Sequence, residues 1–304
     1  MPVTFLLFLA MFLFPVCWPF LALYILWLFY DRAPANGGRP IQWVRHLRFW
    51  KHIASYFPVT IVKEEELDPN TRYVFGYHPH GIISHGALMN FGTEGTNFSK
   101  VFKGLKLRLL TLETNFRIPL YRDLLLALGL ASVSLQSCTH ILNMKTPTSI
   151  VIVVGGAAEA LEAHARTNNL TLRKRKGFIK VAIRNGAPLV PVFSFGENDL
   201  YNQFANPKGS RVRRFQEVFC KYVGVSPPVF YGRGIFNYDF GILPHRKQVA
   251  TVFGKAIKTE KNLSPSEEYI NEIQEKYIEE LQRIYDKYKN VYAADRSTEL
   301  IIKE

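Results

Sequence analysis

The first thirty residues constrain this chain more than any motif in it. Met1 to Tyr30 carries no charged side chain, so the segment needs an apolar environment that covers it. As one straight helix, Val3 to Tyr30 would be about 42 Å long, against a hydrocarbon core of roughly 30 Å. Pro15 and Pro19 interrupt the run near its middle, around Cys17 and Trp18. Proline inside a helix removes a donor and clashes with the preceding turn. The halves, Val3–Phe14 and Phe20–Tyr30, are each about 17 Å long, only part of a crossing. Residues 1–30 therefore read as a re-entrant membrane hairpin with both ends on one side, and a single kinked or tilted span is the competing reading. A secretory signal is disfavoured, because no basic region precedes the apolar run and no small-residue cleavage site follows it.

Charge sets the orientation. Arg32, Arg39, Arg45, Arg48 and Lys51 follow the apolar run against a lone Asp31, an excess of cations that places the body of the protein on the cytosolic side. Over the whole chain 38 Lys and Arg face 25 Asp and Glu, a net +13. That balance favours an anionic membrane surface or a phosphate-rich ligand. Nucleic acid is not expected, since there is no zinc-finger spacing, RNA-recognition signature or basic helix with heptads. Cys17, Cys138 and Cys220 are too few and too scattered for a disulfide framework and suit a reducing compartment. Residues 31–55 open with the turn-rich DRAPANGG and continue as IQWVRHLRFWKHIASYFP. Trp43, Leu47, Trp50 and Ile53 recur there at helical spacing between Arg45, His46, Arg48 and Lys51, which predicts a basic amphipathic helix at the lipid interface. An ordinary surface helix packed on the core has the same pattern.

Beyond residue 56 strands and helices alternate. TRYVFGYHP, SIVIVVGG, PLVPVFSFGE and QVATVFGKAI read as strands. IPLYRDLLLALGL, AAEALEAHAR and GFIKVAIRNG read as helices between them. Near-continuous Val and Ile runs separated by helices imply an α/β fold with a mostly parallel sheet flanked by helices, one domain over 56–304. At the C-terminus Ser264, Pro265 and Glu267 suggest a capping box. Ile270, Ile273, Tyr277, Leu281, Ile284 and Tyr288 then form a stripe expected to pack on the core.

The candidate chemistry begins at YVFGYHPHGI, Tyr73 to Ile82. Residues two apart on a strand share a face, so His78 and His80 could point together at a strand's carboxyl end, where parallel sheets build their sites. Pro79 ends the pairing, and Gly81 permits a sharp turn or close approach of a ligand. His78, His80 and His85 could bind zinc, but no nearby Cys, Asp or Glu supplies a persuasive further ligand, and no metal is assigned. The imidazoles could instead be structural. The favoured reading is general-base catalysis, since a pKa near 6.5 suits removal of a hydroxyl proton at neutral pH. Glu159, just after Gly155 and Gly156, is the candidate partner that orients the base. The glycine pair lacks the full dinucleotide fingerprint. Arg173, Lys174, Arg175, Lys176 and Lys180 form the densest basic cluster, either a solvated face or a site for coenzyme A phosphates. No Gly-x-Ser-x-Gly elbow offers a nucleophile, and Cys138 reads as a small buried residue.

Assembled, these residues resemble the type 2 diacylglycerol acyltransferase family, which includes monoacylglycerol and wax-alcohol acyltransferases. The resemblance rests on the hydrophobic hairpin, YFP at Tyr56, Phe57 and Pro58, HPHG at His78–Gly81 and GGAAE at Gly155–Glu159. It continues with RKGFIKVAIRNGAPLVPVFSFGEN from Arg175 to Asn198, GRG at Gly232–Gly234 and TVFGKAI at Thr251–Ile257. Two departures are Ala256, where proline is common, and Leu135, where a basic residue is common. The His-x4-Asp relay of the wider glycerolipid acyltransferases is missing, because Ile83, His85 and Asn90 follow the three histidines at that distance. The resemblance implies acyl transfer from acyl-CoA to the free hydroxyl of diacylglycerol, with acyl-CoA as co-substrate and no bound cofactor. It implies His80 as base, His78 shaping the site or holding the oxyanion, and Glu159 beside the imidazole. It further implies substrate contacts from Tyr77, Gly81, Gly155, Gly156, Arg175, Lys176, Gly177, Phe178, Glu197, Asn198 and the YFP residues. The expected setting is the endoplasmic reticulum membrane with the domain facing the cytosol, and the surface of lipid droplets. A homo-oligomer is left open. Monoacylglycerol or long-chain-alcohol acyl transfer is the alternative, as is a non-enzymatic droplet-coating protein.

Overall fold

The computed structural model describes residues 2–204, 209–223 and 228–303. Among these residues eleven strands run in chain order: β1 Val59–Lys63, β2 Val74–His78, β3 Leu107–Thr111, β4 Leu130–Ser132, β5 Ser149–Val153, β6 Asn168–Thr171, β7 Leu189–Phe195, β8 Asn202–Gln203, β9 Phe230–Tyr231, β10 Val249–Phe253 and β11 Leu300–Lys303. Seven form the central sheet, in the order β1-β10-β7-β2-β5-β3-β4. The neighbours from β7 through β4 pair in parallel, β10 runs antiparallel to β7, and β1 follows β10 in parallel. The α/β fold with a mostly parallel sheet flanked by helices is the one the apolar runs imply. The strand β2 sits mid-sheet with every residue buried, and its carboxyl end delivers His78.

Alternation along β2 assigns its side chains to two different layers. Val74 packs in a layer with the helix Gly177–Asn185 and the C-terminal helix Glu267–Tyr292. Tyr73, Phe75 and Tyr77 point the other way, into an aromatic layer with Phe91, Phe98, Phe102 and Phe253. The predicted stripe on the C-terminal helix is buried at Ile270, Ile273, Tyr277, Leu281 and Ile284. Each such side chain contributes roughly 1.5–3 kcal/mol by leaving water. The cap lies elsewhere than expected. Ser266, not Ser264, is the N-cap, its Oγ accepting from the Tyr269 N–H at 3.2 Å, and helix begins at Glu267.

Other differences have local causes. The helix expected over Ile118–Leu130 spans only Tyr121–Ala127, since Leu120 has φ 60° and Gly129 φ 84°, and Leu130 enters β4. The helix after β5 stops at Ala160, one turn long, because Glu159 is drawn inward. The strand β11, unforeseen, pairs in parallel with β6.

The N-terminus folds as two helices, Pro2–Ala10 and Trp18–Tyr30, joined by short turns of tighter helix at Met11–Leu13 and Pro15–Cys17. The break falls at the prolines. Phe8 packs against Tyr24 and the Trp18 indole donates to the Phe12 carbonyl, so the second helix folds back on the first. Pro15–Ala35 as a whole is long and apolar enough to cross a membrane, and Val3–Leu13 is shorter. The hairpin is tied to the body through Asp31, which accepts from Arg39 and from the buried Arg122, both at 2.6 Å. The predicted single amphipathic helix is two, Gln42–Arg45 and Arg48–Tyr56. Trp43, Leu47 and Phe49 are exposed, while Trp50 is buried. Arg45 leaves the cationic face altogether. It is buried, donating to the carbonyls of Leu128 and Phe91, with Glu94 nearby.

The cap assignment is directly measurable. Ser266→Ala is expected to cost about 1 kcal/mol, seen as a lower Tm of the detergent-solubilised protein, while Ser264→Ala leaves Tm unchanged.

Candidate active site

The sheet delivers His78 with nowhere to go but protein. Its imidazole is fully buried, and Nε2 lies 3.0 Å from the Tyr277 hydroxyl. That hydroxyl donates its only proton to the Gly76 carbonyl, also at 3.0 Å, so it accepts from His78, which carries its proton on Nε2. Burial pushes the His78 pKa down to about 3, so the ring is neutral. Gly76 makes the arrangement fit, since a Cβ there would lie 2.1 Å from the Tyr277 hydroxyl.

His80 lies past the strand, in the loop that follows Pro79. Its Nδ1 is 3.0 Å from the Gly81 carbonyl, which can only accept. The proton therefore sits on Nδ1 and the Nε2 lone pair is free. Burial lowers the His80 pKa, and the charge of Arg175 lowers it further, against the Gly81 bond. The two histidines thus have different partners, and the shared face expected of positions two apart is not realised because β2 ends at His78.

Glu159 holds the loop by its backbone. One carboxylate oxygen accepts from the His80 N–H at 2.6 Å and the other from the Thr171 N–H at 2.8 Å. The expectation that it faces the imidazole is corrected, since the ring is oriented by the Gly81 carbonyl. Burial raises the Glu159 pKa to about 7, opposed by those two donors and by Arg175. Gly155, at φ 99°, is where the chain turns for this, and a Cβ there would lie 2.3 Å from the Glu159 carboxylate. Gly155, the first of the glycine pair, makes room for a side chain of its own chain.

A second buried carboxylate grips the far end of the loop. Glu197 accepts from the Tyr77 hydroxyl at 2.6 Å and from the Gly86 N–H at 3.0 Å. Burial raises its pKa to about 7 as well. Gly81, at φ 61°, passes so close that a Cβ would come within 2.8 Å of Glu197. His85 is stacked between Phe57 and Tyr201, with Nε2 3.0 Å from the Tyr201 hydroxyl. Burial lowers its pKa to about 4.

The remaining predicted residues divide between site and scaffold. Asn198 donates to the Thr167 carbonyl, Phe178 packs its edge on Tyr277, and Tyr56 donates to the Pro244 carbonyl. In the basic block, Lys176 binds Asn271 and lies near Glu267, Lys180 binds Glu267, and Arg173 binds Glu275. Arg175 is exposed and close enough to lower the pKa of both His80 and Glu159. Tyr277, Tyr201 and the stack on His85 were not foreseen. A tyrosine in the middle of a mostly aliphatic stripe was the available signal for Tyr277, because a buried hydroxyl needs a partner.

A family model described as diacylglycerol acyltransferase matches residues 10–303. The chain belongs to the diacylglycerol acyltransferase family. Family members similar to it include the diacylglycerol O-acyltransferase 2B of Umbelopsis ramanniana, 53% identical over 97% of this chain and 86% of that protein. The diacylglycerol O-acyltransferase 2 of Dictyostelium discoideum is 48% identical over 93% of this chain and 86% of its own length. The 2-acylglycerol O-acyltransferase 1 of Mus musculus is 44% identical over 92% and 84%.

Two measurements probe the geometry. Tyr277→Phe strands the Gly76 carbonyl and the His78 N–H, an expected loss of about 1–3 kcal/mol in stability, and Gly76→Ala is expected to be at least as damaging. For His85 the folded pKa lies below the ordinary 6.5, so the unfolded chain binds the extra proton and stability falls as pH drops from 6.5 toward 4. His85→Phe keeps the stack and lacks that proton. The Tm of the unaltered protein should therefore fall relative to the variant across that window.

Proposed function

We propose that the chain transfers a fatty acyl group from acyl-CoA to the free hydroxyl of diacylglycerol, forming triacylglycerol, with His80 as general base. The observation that carries the reading is the His80 ring itself. The Gly81 carbonyl holds the proton on Nδ1, which leaves Nε2 able to accept a proton from a hydroxyl. The acceptor oxygen attacks the thioester carbonyl as Nε2 takes its proton. The tetrahedral intermediate collapses, the carbon–sulfur bond breaks, and coenzyme A leaves as a thiolate that receives the proton from His80. A thiolate leaves readily, so the direct route needs no acyl-enzyme and no metal.

Within this reading Glu159 and Glu197 are positioning residues. They fix the two ends of the loop that bears His80 and keep its backbone N–H groups paired. His78, neutral and committed to Tyr277, shapes the strand end. Arg175 is the cation best placed to meet the coenzyme or the developing oxyanion, because Lys176 and Lys180 are engaged by Asn271 and Glu267. The apolar helices Pro2–Ala10 and Trp18–Tyr30 hold the body at the endoplasmic reticulum membrane, facing the cytosol, and at the droplet surface, where diacylglycerol resides. The 2-acylglycerol acyltransferase relative supports a second reading, a monoacylglycerol acceptor, which a panel of acceptors decides.

The test is a microsomal assay with radiolabelled acyl-CoA. His80→Ala should abolish transfer, and activity retained there would sink the base assignment. Because the His80 pKa is lowered from 6.5, kcat/KM should be level at neutral pH and fall only once the pH drops below about 6.5. Glu159→Gln, which can accept only one of the two N–H bonds, should lower kcat by an order of magnitude or so, with KM for acyl-CoA little changed. Arg175→Ala should mainly raise that KM.

A further inference from the structure

Between β9 and β10 the chain closes a small, well-bonded loop. The Arg233 and Leu243 backbones exchange hydrogen bonds at 2.7 and 2.9 Å, and the Gly232 N–H donates to the Gly241 carbonyl at 2.7 Å. Inside that neck the Gly234 N–H donates to the Asn237 carbonyl, and the Asp239 N–H to the Asn237 side chain. These bonds close the neck, yet the side chains at the tip stay largely exposed. Ile235, Phe236, Tyr238, Phe240 and Ile242 are all exposed, Phe236 to 97% and Ile242 to 86%. Single exposed apolar residues are ordinary, but five large ones on eight consecutive positions of an ordered loop are a contact surface.

We infer that this loop is a second membrane contact, separate from the N-terminal hairpin, which inserts Phe236 and Ile242 into the bilayer beside the His80 loop. Three observations select lipid as the occupant. The charges flanking the tip are those of an interfacial element, Arg233, Arg246 and Lys247 against a single Asp239. The loop also packs against the segment that leaves the hairpin. Tyr56, at the end of the helix Arg48–Tyr56, donates to the Pro244 carbonyl, and Arg233 lies over the rings of both Tyr56 and Tyr238 at 5.2 and 4.9 Å. That segment exposes Trp43, Leu47 and Phe49. The loop also leads straight to the site, since the His245 N–H donates to the Leu200 carbonyl and the next residue, Tyr201, stacks on His85. A bilayer meeting the tip would lie against the carboxyl end of the sheet. The contact itself holds whatever chemistry occurs there, and only its role in feeding an acceptor rests on the proposed acyl transfer.

The experiment uses the full chain in phosphatidylcholine vesicles containing phosphatidylserine, with its three cysteines replaced and an environment-sensitive dye on Phe236→Cys. Nitroxides placed shallow on the acyl chains should quench the dye, and aqueous iodide should not. The same dye on Lys258→Cys, exposed after β10, should respond to iodide only. Iodide quenching at position 236 equal to that at 258 would overturn the inference. So would iodide protection that grows with protein density without nitroxide quenching, which would assign the tip to a second copy of the chain. Phe236→Ser combined with Ile242→Ser should slow acylation of an acceptor dissolved in the bilayer several-fold and leave a short-chain acceptor in detergent unaffected. If neither acceptor is acylated by the unaltered protein, the acyl-transfer reading fails while the nitroxide result still decides the contact.

Discussion

A strand covered on both faces can end in polar residues only where protein supplies most of the partners that water would have given. That constraint organises the carboxyl end of β2. One hydroxyl, from Tyr277 on the C-terminal helix, serves both the Gly76 carbonyl and the His78 ring. Two carboxylates then take the loop that follows, Glu159 at the His80 N–H and Glu197 at the Gly86 N–H. Each carboxylate is itself expensive to bury, which is why both pKa values rise to about 7. Each is kept in place by two donors, the His80 and Thr171 N–H groups for Glu159 and the Tyr77 hydroxyl and Gly86 N–H for Glu197. The His80 imidazole is thus presented by a loop pinned at both ends, and its ring needs only one local carbonyl to fix the tautomer.

Titration of the pair is coupled to the fold in opposing senses. The buried histidines disfavour acid, since their folded pKa values lie below 6.5. The two carboxylates have raised values, so between 4.5 and about 7 the folded protein binds their protons more tightly than the unfolded chain does. The contributions partly offset in mildly acidic conditions and stop offsetting below 4.5, where only the histidine penalty remains.

Much of the framework was legible because it follows from patterns a few residues long. Apolar and aromatic runs mark β2, β5 and β7, Gly186 at φ 63° closes the helix Gly177–Asn185, and the prolines mark the break in the hairpin. The antiparallel placement of β10 and the pairing of β11 with β6 depend on contacts far apart in sequence, and nothing local encodes them. In the site the residue types were legible but not the bonding. Glu159 was visible as a candidate carboxylate at a strand's end, but whether its oxygens meet a ring or a backbone is decided by the backward turn at Gly155. Tyr77 and Glu197 belong to two of the quoted motifs and bind each other. Lys176 and Lys180 belong to a basic run whose partners lie on a helix about ninety residues later.

The junction at Asp31 has a consequence for how such a protein explores its surroundings. Arg122, itself buried, reaches the Asp31 carboxylate and the Leu28 carbonyl, and the Leu120 N–H donates to the Tyr24 hydroxyl. The apolar helix and the body therefore move as one piece rather than as a ball on a string. In the proposed membrane setting, a rigidly mounted body would keep a fixed attitude to the lipid plane, so its search for an acceptor would be confined to two dimensions. Encounter is then set by how many acceptor molecules share that plane, and by how fast they diffuse within it, rather than by their concentration in water.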